Sequence, residues 1–422
     1  MKPRPTGVLL FLVAVVALSF AVHAQNKYRL KPGAKGKLCL ECHESFVETT
    51  RLPHVHTPVK AGDCSDCHDP HTSTHGKLLA EDATAICAEC HGEMVPANAR
   101  SAHEIAREGD CVVCHDPHGS SNPDNLVRGG NDLCFGCHAE MAAAVNEASF
   151  GHSPAKRDCL GCHTAHASSE SDSLLKKEEP ALCLDCHDPG QAFFGKAHLG
   201  YPVTEGRCTS CHDPHGSNKS GLFWTNVHQP VANGMCKQCH QESSSPDSLQ
   251  LTRAGMELCR GCHNTMVNNV LSKNRLHWPV VGEDSCLSCH AAHASAEGSL
   301  LREPAKPLCG QCHQDTLARQ ETSVTKHEPV DDGSCTVCHS PHASDNALLL
   351  EEANLNELCG TCHDWQRHSS HPIGDEVIDP RNPNLALDCS SCHRNHGTGL
   401  PKFVYWDHKS ELCVQCHAGM ER

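Results

Sequence analysis

The sequence predicts a mostly irregular chain with short α-helices and little or no β-structure, extended as a string of like modules. Three observations support this. Of the 422 residues only 4% are aromatic, and the mean hydropathy is -0.44, too lean for an ordinary globular core at this length. Leu and Val fall mostly in short pairs beside cysteines, with no long amphipathic period and no strand alternation. All 32 cysteines belong to one recurring motif, so repetition organises the chain.

Lys2 and Arg4 precede an apolar run from Val8 to Val22, and Val22-His23-Ala24 stands before Gln25. Residues 1–24 read as a secretory signal peptide. The run is short of the ~20 apolar residues of a membrane span, and no later segment reaches that length. Cys39 lies well past the cleavage site, which argues against a lipid-anchored amino terminus. The expected destination is export, to the periplasm, the outer membrane or the outside. The formal net charge is -16; without Lys2 and Arg4, 33 basic face 51 acidic residues, a charge of -18. That argues against nucleic acid as a partner and for redox proteins met by electrostatic steering.

The motif is clearest in Cys111-Val-Val-Cys114-His115-Asp-Pro-His118. Two cysteines so spaced can each add to a vinyl group of one haem, and the next His is placed as its first axial ligand. Sixteen such sites account for every cysteine: Cys39/Cys42/His43, Cys64/Cys67/His68, Cys87/Cys90/His91, Cys111/Cys114/His115, Cys134/Cys137/His138, Cys159/Cys162/His163, Cys183/Cys186/His187, Cys208/Cys211/His212, Cys236/Cys239/His240, Cys259/Cys262/His263, Cys286/Cys289/His290, Cys309/Cys312/His313, Cys335/Cys338/His339, Cys359/Cys362/His363, Cys389/Cys392/His393 and Cys413/Cys416/His417. A disulfide scaffold or a zinc array gives no reason for the invariant following His. The cofactor expected is haem c, sixteen copies, covalently attached. Haem would supply the missing apolar mass, so the haem-free chain is expected to be largely unfolded.

Two kinds of site alternate. Type A has an apolar residue before the first cysteine, and the site at Cys236, after Met235, is counted here. Type B carries a trailing His three residues on: His71, His118, His166, His215, His293, His342 and His396. A type A site followed by a type B site makes a module, such as Cys39 to His71 or Cys87 to His118, with two single sites left at Cys236 and Cys413. A further His precedes each type B or single site: His54 or His56, His103, His152, His198, His228, His277, His327, His368 or His371, and His408. Each iron is thus offered a second imidazole, with His56 and His371 taken from their pairs. Residues three apart on a helical turn share a face, whereas the axial ligands of one iron come from opposite sides, so His118 serves another haem than His115. The upstream His is expected to cap its module's type B haem and the trailing His its type A haem. The mature methionines Met94, Met141, Met235, Met256, Met266 and Met420 follow no repeat, and bis-histidine iron lacks the upward shift in potential that Met gives. Low potentials follow.

Asp-Pro before His71, His118 and His215 restricts the backbone that aims the ligand. Leu pairs such as Leu78-Leu79 and Leu348-Leu349 are read as packing alone. Gln241-Glu-Ser-Ser-Ser-Pro-Asp-Ser248 is the most linker-like stretch. It divides the chain near residue 246, with nine sites in 25–246 and seven in 247–422.

The alternation Cys-x-x-Cys-His-x-x-His then Leu-Cys-x-x-Cys-His, from Cys39 to His417, resembles the doubled Cys-x-x-Cys-His cytochromes. These include the pentahaem donor to periplasmic nitrite reductase and the decahaem periplasmic component of outer-membrane porin-cytochrome conduits. The resemblance implies a multihaem cytochrome c fold and a bis-histidine wire without catalytic residues. Such a wire would pass electrons from an inner-membrane or periplasmic donor to an outer-membrane or extracellular acceptor, with any membrane crossing left to a β-barrel porin. The chain carries more sites than those relatives. The alternatives are a multihaem reductase, which needs an iron with an open position, and a subunit of an extracellular cytochrome filament.

Overall fold

The computed structural model describes residues 36–364, 371–407 and 411–418. The signal segment, His368 and His408 lie outside them. Contacts divide the chain into two compact units, one reaching to Glu147 and including Gly151–Leu182, the other Ala148–Phe150 with Cys183–Arg422. The fold is mostly irregular, with short helices, small antiparallel strand pairs and, among the described residues, no closed sheet.

The two kinds of attachment site have different backbones. Type A sites sit in α-helices, such as Lys37–Cys42 and Ala83–His91 in the first unit and Ala305–Gly310 and Leu355–Gly360 in the second. Two start on a polar cap: Asp82 accepts from the Thr84 N–H, and Asn354 from those of Asn356 and Glu357. The apolar residue before the first cysteine is buried in two of these helices, at Leu308 and Leu358, whereas Leu38 is about half exposed. Type B sites place the two cysteines on a single 3-10 turn, such as Cys64–Asp66, Cys111–Val113 and Cys335–Val337. A short helix opening one residue after the upstream His leads in: Thr57–Ala61, Glu104–Glu108, Gln229–Ala232, Trp278–Val281 and Glu328–Asp331. Pro in the first turn of four of these has a pre-set φ and no N–H to lose.

Cys236 corrects the sequence reading. It lies on a 3-10 turn, Cys236–Gln238, behind the helix Gln229–Ala232, and His240 bridges back to Leu251. That is a type B site without its trailing His; Met235 before it imitates type A.

Strand pairs of two residues join successive repeats. In the first unit His54–Val55 pairs with Gly119–Ser120, and Ser101–Ala102 with Ala167–Ser168. In the second, Asn226–Val227 pairs with Ala294–Ser295, and Arg275–Leu276 with Ala343–Ser344. The one longer pair is a hairpin, Gly374–Asp379 with Asn382–Leu387, inserted between His371 and Cys389. Asp379 and Arg381 clamp its turn, with Nη2 to Oδ2 at 2.5 Å, and Arg381 also donates to the Ser391 carbonyl at 2.9 Å and lies over the Trp406 ring.

Among the described residues the buried apolar side chains are few: Val145, Val267, Val270, Ala294, Leu308, Ala343, Leu358 and Val404. Large apolar side chains inside the attachment motifs, Val112, Val113 and Val337, stay about half exposed. None of the described helices is long and apolar enough to cross a membrane.

Candidate haem-binding sites

Each proximal His of a type B site is aimed by its other ring nitrogen. Nδ1 of His68, His115, His212, His240, His290, His339 and His393 donates to the carbonyl nine residues on, at 2.7 to 3.0 Å. A neutral imidazole bonded at Nδ1 presents Nε2 to a metal, the usual outer-shell arrangement of a ligating His. The carbonyl comes from a tight turn whose central residues have positive φ without glycine: Lys77 and Leu78 (58° and 56°), Asp124 and Asn125 (54° each), Leu348 and Leu349 (55° and 56°). The Leu pairs thus build the turn that orients the proximal His, a role beyond the packing expected of them.

The upstream and trailing histidines are held together across repeats. The N–H of His56 donates to the carbonyl of His118, and the same bond joins His103 to His166, His228 to His293 and His277 to His342, each at 2.9 Å. Nδ1 of His56, His228 and His277 donates to the carbonyl one residue before that trailing His, at 2.8 to 2.9 Å. On the trailing side, Asp116 Oδ1 accepts the His118 N–H at 2.9 Å, as Asp69 does for His71 and Asp213 for His215. The Asp of Asp-Pro-His therefore makes an Asx turn that sets the loop. Two residues past the trailing His, Ser120, Ser168 and Ser344 are buried and donate to the carbonyls of Leu126, Leu175 and Leu350 at 2.5 to 2.7 Å. The repeated His-x-Ser was visible in the sequence and unread there.

These holds bring histidine rings opposite one another at a constant interval. In the first unit His56 faces His91 at 5.9 Å between centroids, His68 faces His118 at 6.0 Å, and His103–His138 and His115–His166 stand at 6.1 Å. In the second unit His228–His263, His240–His293, His277–His313, His290–His342, His327–His363, His339–His396 and His371–His417 lie at 5.9 to 6.2 Å. A metal bonded to an imidazole nitrogen on each side, at about 2.0 Å per bond, separates two ring centres by about 6 Å. The spacing fits an iron between each pair, and the exposed apolar side chains of the attachment motifs fit a porphyrin beside it.

The pairing overturns the within-module assignment. His118 faces the preceding type B His68 and not His91, while His56 faces the following type A His91. The reason is the strand pairing above, which seats each trailing His beside the upstream His of the preceding repeat. The Cys208 site keeps the expected arrangement: His198 faces His212 at 6.1 Å, its plane turned by 80°. The next type B site, at Cys236, has no trailing His to offer, and His198 is held instead by Nδ1 to the Phe194 carbonyl at 2.9 Å. His152, His163, His187 and His215 also have interaction partners.

Consecutive sites touch in chain order. In the first unit the first cysteine of a type A site meets the first of the next type B site, as Cys39 with Cys64, Cys87 with Cys111 and Cys134 with Cys159. The second cysteine of a type B site lies near the next type A pair, as Cys67 near Cys90 and Cys114 near Cys134 and Cys137. The second unit repeats this with Cys239 near Cys262, Cys259 with Cys286, Cys289 near Cys312, Cys309 with Cys335, Cys338 near Cys362, Cys359 with Cys389 and Cys392 near Cys416. Cys211 near Cys236 joins the two successive type B sites there.

Cys162 and Cys186 keep the backbone of their site types, a 3-10 turn at Cys159–Gly161 and a helix at Ala181–Leu184. Cys162 closes the last type B turn of the first unit, and Cys186 belongs to the first type A site of the second. Each keeps its own motif geometry. The Cys162 N–H donates to the Cys159 carbonyl and the Cys186 N–H to the Cys183 carbonyl, both at 3.2 Å, with Cys162 half-buried and Cys186 exposed.

The thiols are unequal. Hydrogen bonding to Cys259 lowers the Cys286 thiol, and Cys309 and Cys359 do the same for Cys335 and Cys389, their partners being raised. One thiol of each pair is so poised as the nucleophilic thiolate; as thioethers the sulfurs no longer titrate. Burial lowers the imidazolium pKa of His118, His166, His293, His342 and His396, for His118 against the opposing pull of Asp116. The neutral ring is the ligating form.

The doubled CXXCH motif family matches the chain at 56–96, 103–143, 152–192, 201–226, 228–268, 277–318, 327–368 and 382–422, about three quarters of its length. The chain belongs to this family and is a multihaem c-type cytochrome. Six of the matches open on an upstream His and run through a type B site into a type A site. The cytochrome is therefore framed B-then-A, the frame in which His56 and His91 share a repeat, and not A-then-B as in the modules drawn from the sequence. The 201–226 match holds the Cys208 site alone, where the ligand pattern breaks. No curated protein matches the chain.

Proposed function

We propose that the cytochrome is an electron carrier, a line of sixteen covalently bound haems of low potential that works without substrate chemistry. The observation that carries this reading is the contact of successive attachment sites in chain order within each unit. Bound there, haem supplies a one-electron iron couple. The chain's residues do the rest. Where rings are paired, histidines from neighbouring segments present imidazole from both sides, so ligands need not exchange during transfer there, and the Nδ1 bonds and tight turns fix the proximal rings of the type B sites. Residues 25–246 would carry nine of the haems and 247–422 seven.

The placement we propose follows from the signal segment and the charge. The exported chain, at -18, would take electrons from an inner-membrane or periplasmic donor by electrostatic steering. It would pass them to an acceptor at or beyond the outer membrane, through a β-barrel porin where a membrane intervenes. A stoichiometric reductive titration of the purified cytochrome tests the carrier reading. We expect about sixteen electrons per chain, taken up at low potential, with no catalytic current on adding nitrite or sulfite. A count well short of sixteen, or a catalytic current, would refute it.

A further inference from the structure

The site at Cys39, Cys42 and His43 departs from the rule that the other type A sites follow. Where the ring pair is seen, the distal ring comes from an upstream His, thirty-five residues before the proximal one for His56 and His91, His103 and His138, and His228 and His263, thirty-six for His277 and His313 and for His327 and His363, and forty-six for His371 and His417. Thirty-five and thirty-six residues before His43 stand Val8 and Gly7, neither with a side-chain ligand atom. Among the described residues no imidazole ring faces His43 at the iron-spanning interval. The neighbouring donor is His71, since a trailing His stands beside the seat that an upstream His fills. The His71 ring is not seated: its side chain is 83% exposed against 36% for His118 and 30% for His215, and it reaches its own Asp69 at 3.9 Å.

The site is nonetheless built into the line. Gly36 and Gly62 meet backbone to backbone, so close that a Cβ on Gly36 would lie 2.9 Å from the Gly62 Cα, which fixes the helix Lys37–Cys42 on its neighbour. Cys39 meets Cys64, and the Phe46 ring packs edge-on against His118 at 4.8 Å. We propose that His43 is the sole protein ligand of its haem, which leaves an exchangeable axial position for a small exogenous ligand: a diatomic gas when reduced, free imidazole or a small anion when oxidised. This adds to the carrier reading one inner-sphere port, wired to the line through Cys39 and Cys64.

Carbon monoxide titration of the dithionite-reduced, full-length cytochrome tests this, followed by the Soret difference spectrum. The wild type should bind one CO per chain, and the oxidised protein should show one high-spin haem by electron paramagnetic resonance. Cys39→Ser with Cys42→Ser should remove one haem and all CO binding, and leave the other haems low-spin. His71→Ala should leave the CO stoichiometry at one. No CO binding in the wild type, CO binding that survives the cysteine changes, or binding that appears only on His71→Ala would each overturn the proposal. The last would make His71, of the same chain or a second copy, the sixth ligand.

Discussion

At the scale of residues, each trailing His is set by the Asp before it and seated by the strand pair after it, so its partner is fixed one repeat away. His118→Met should therefore raise the potential of the haem at Cys64, since Met ligation raises potential where His does not. Spectroelectrochemistry should show one component moved upward. The shift should vanish in a background lacking Cys64 and Cys67 and persist in one lacking Cys87 and Cys90; the opposite pattern would restore the within-module assignment. Asp379 permits a test in pH. Hydrogen bonds from Arg381 hold its carboxyl at about 2, below the ordinary 3.8. A depressed value means the pair's contribution is whole above pH 3.8 and falls away as pH drops through about 2. Hydrogen exchange of the hairpin should show that loss, and Asp379→Asn should open it by about 1–3 kcal/mol and abolish the dependence in that window.

At the scale of elements, the attachment motifs and their alternation were plain in the sequence, because Cys-x-x-Cys-His is a contiguous string. The elements that decide the pairing were not. A two-residue strand such as His54–Val55 has no period to detect, and the turns that orient the proximal histidines run through Lys77-Leu78 or Leu348-Leu349 at positive φ, without the Asn-Gly signature of such turns. Met235 before Cys236 misled for the same reason: one apolar neighbour does not report backbone. Nor does the motif at Cys162 or at Cys186 differ from its fellows in any way that would mark where one compact unit ends and the next begins. Residues other than glycine cost about 1–2 kcal/mol in this left-handed region. Leu348 is 79% exposed at φ 55° and gives up little packing. Leu348→Gly should stabilise the holoprotein by about 0.5–1 kcal/mol after the entropy cost of glycine, read as a raised thermal midpoint. A lowered midpoint would mean that Leu348 packs on haem.

At the scale of the whole molecule, the lean composition was legible as a missing core, and the short roll of buried apolar residues agrees with it. The fold class followed from composition and repeat together. The repeat frame did not, because counting from Cys39 starts on a type A site, whereas the histidine pairs start from His56. Chain made without haem attachment should give the far-ultraviolet circular dichroism of a largely unfolded polypeptide; cooperative thermal unfolding of that material would contradict a haem-built core. The central claim is that histidines from successive repeats close on the same irons, in chain order. An iron anomalous difference map from crystals of the holoprotein tests it most directly. The account predicts sixteen peaks following the attachment sites in sequence, with His68 and His118 on opposite sides of one of them. His118 found on the iron of the Cys87 or the Cys111 haem, or irons out of chain order within a unit, would contradict it.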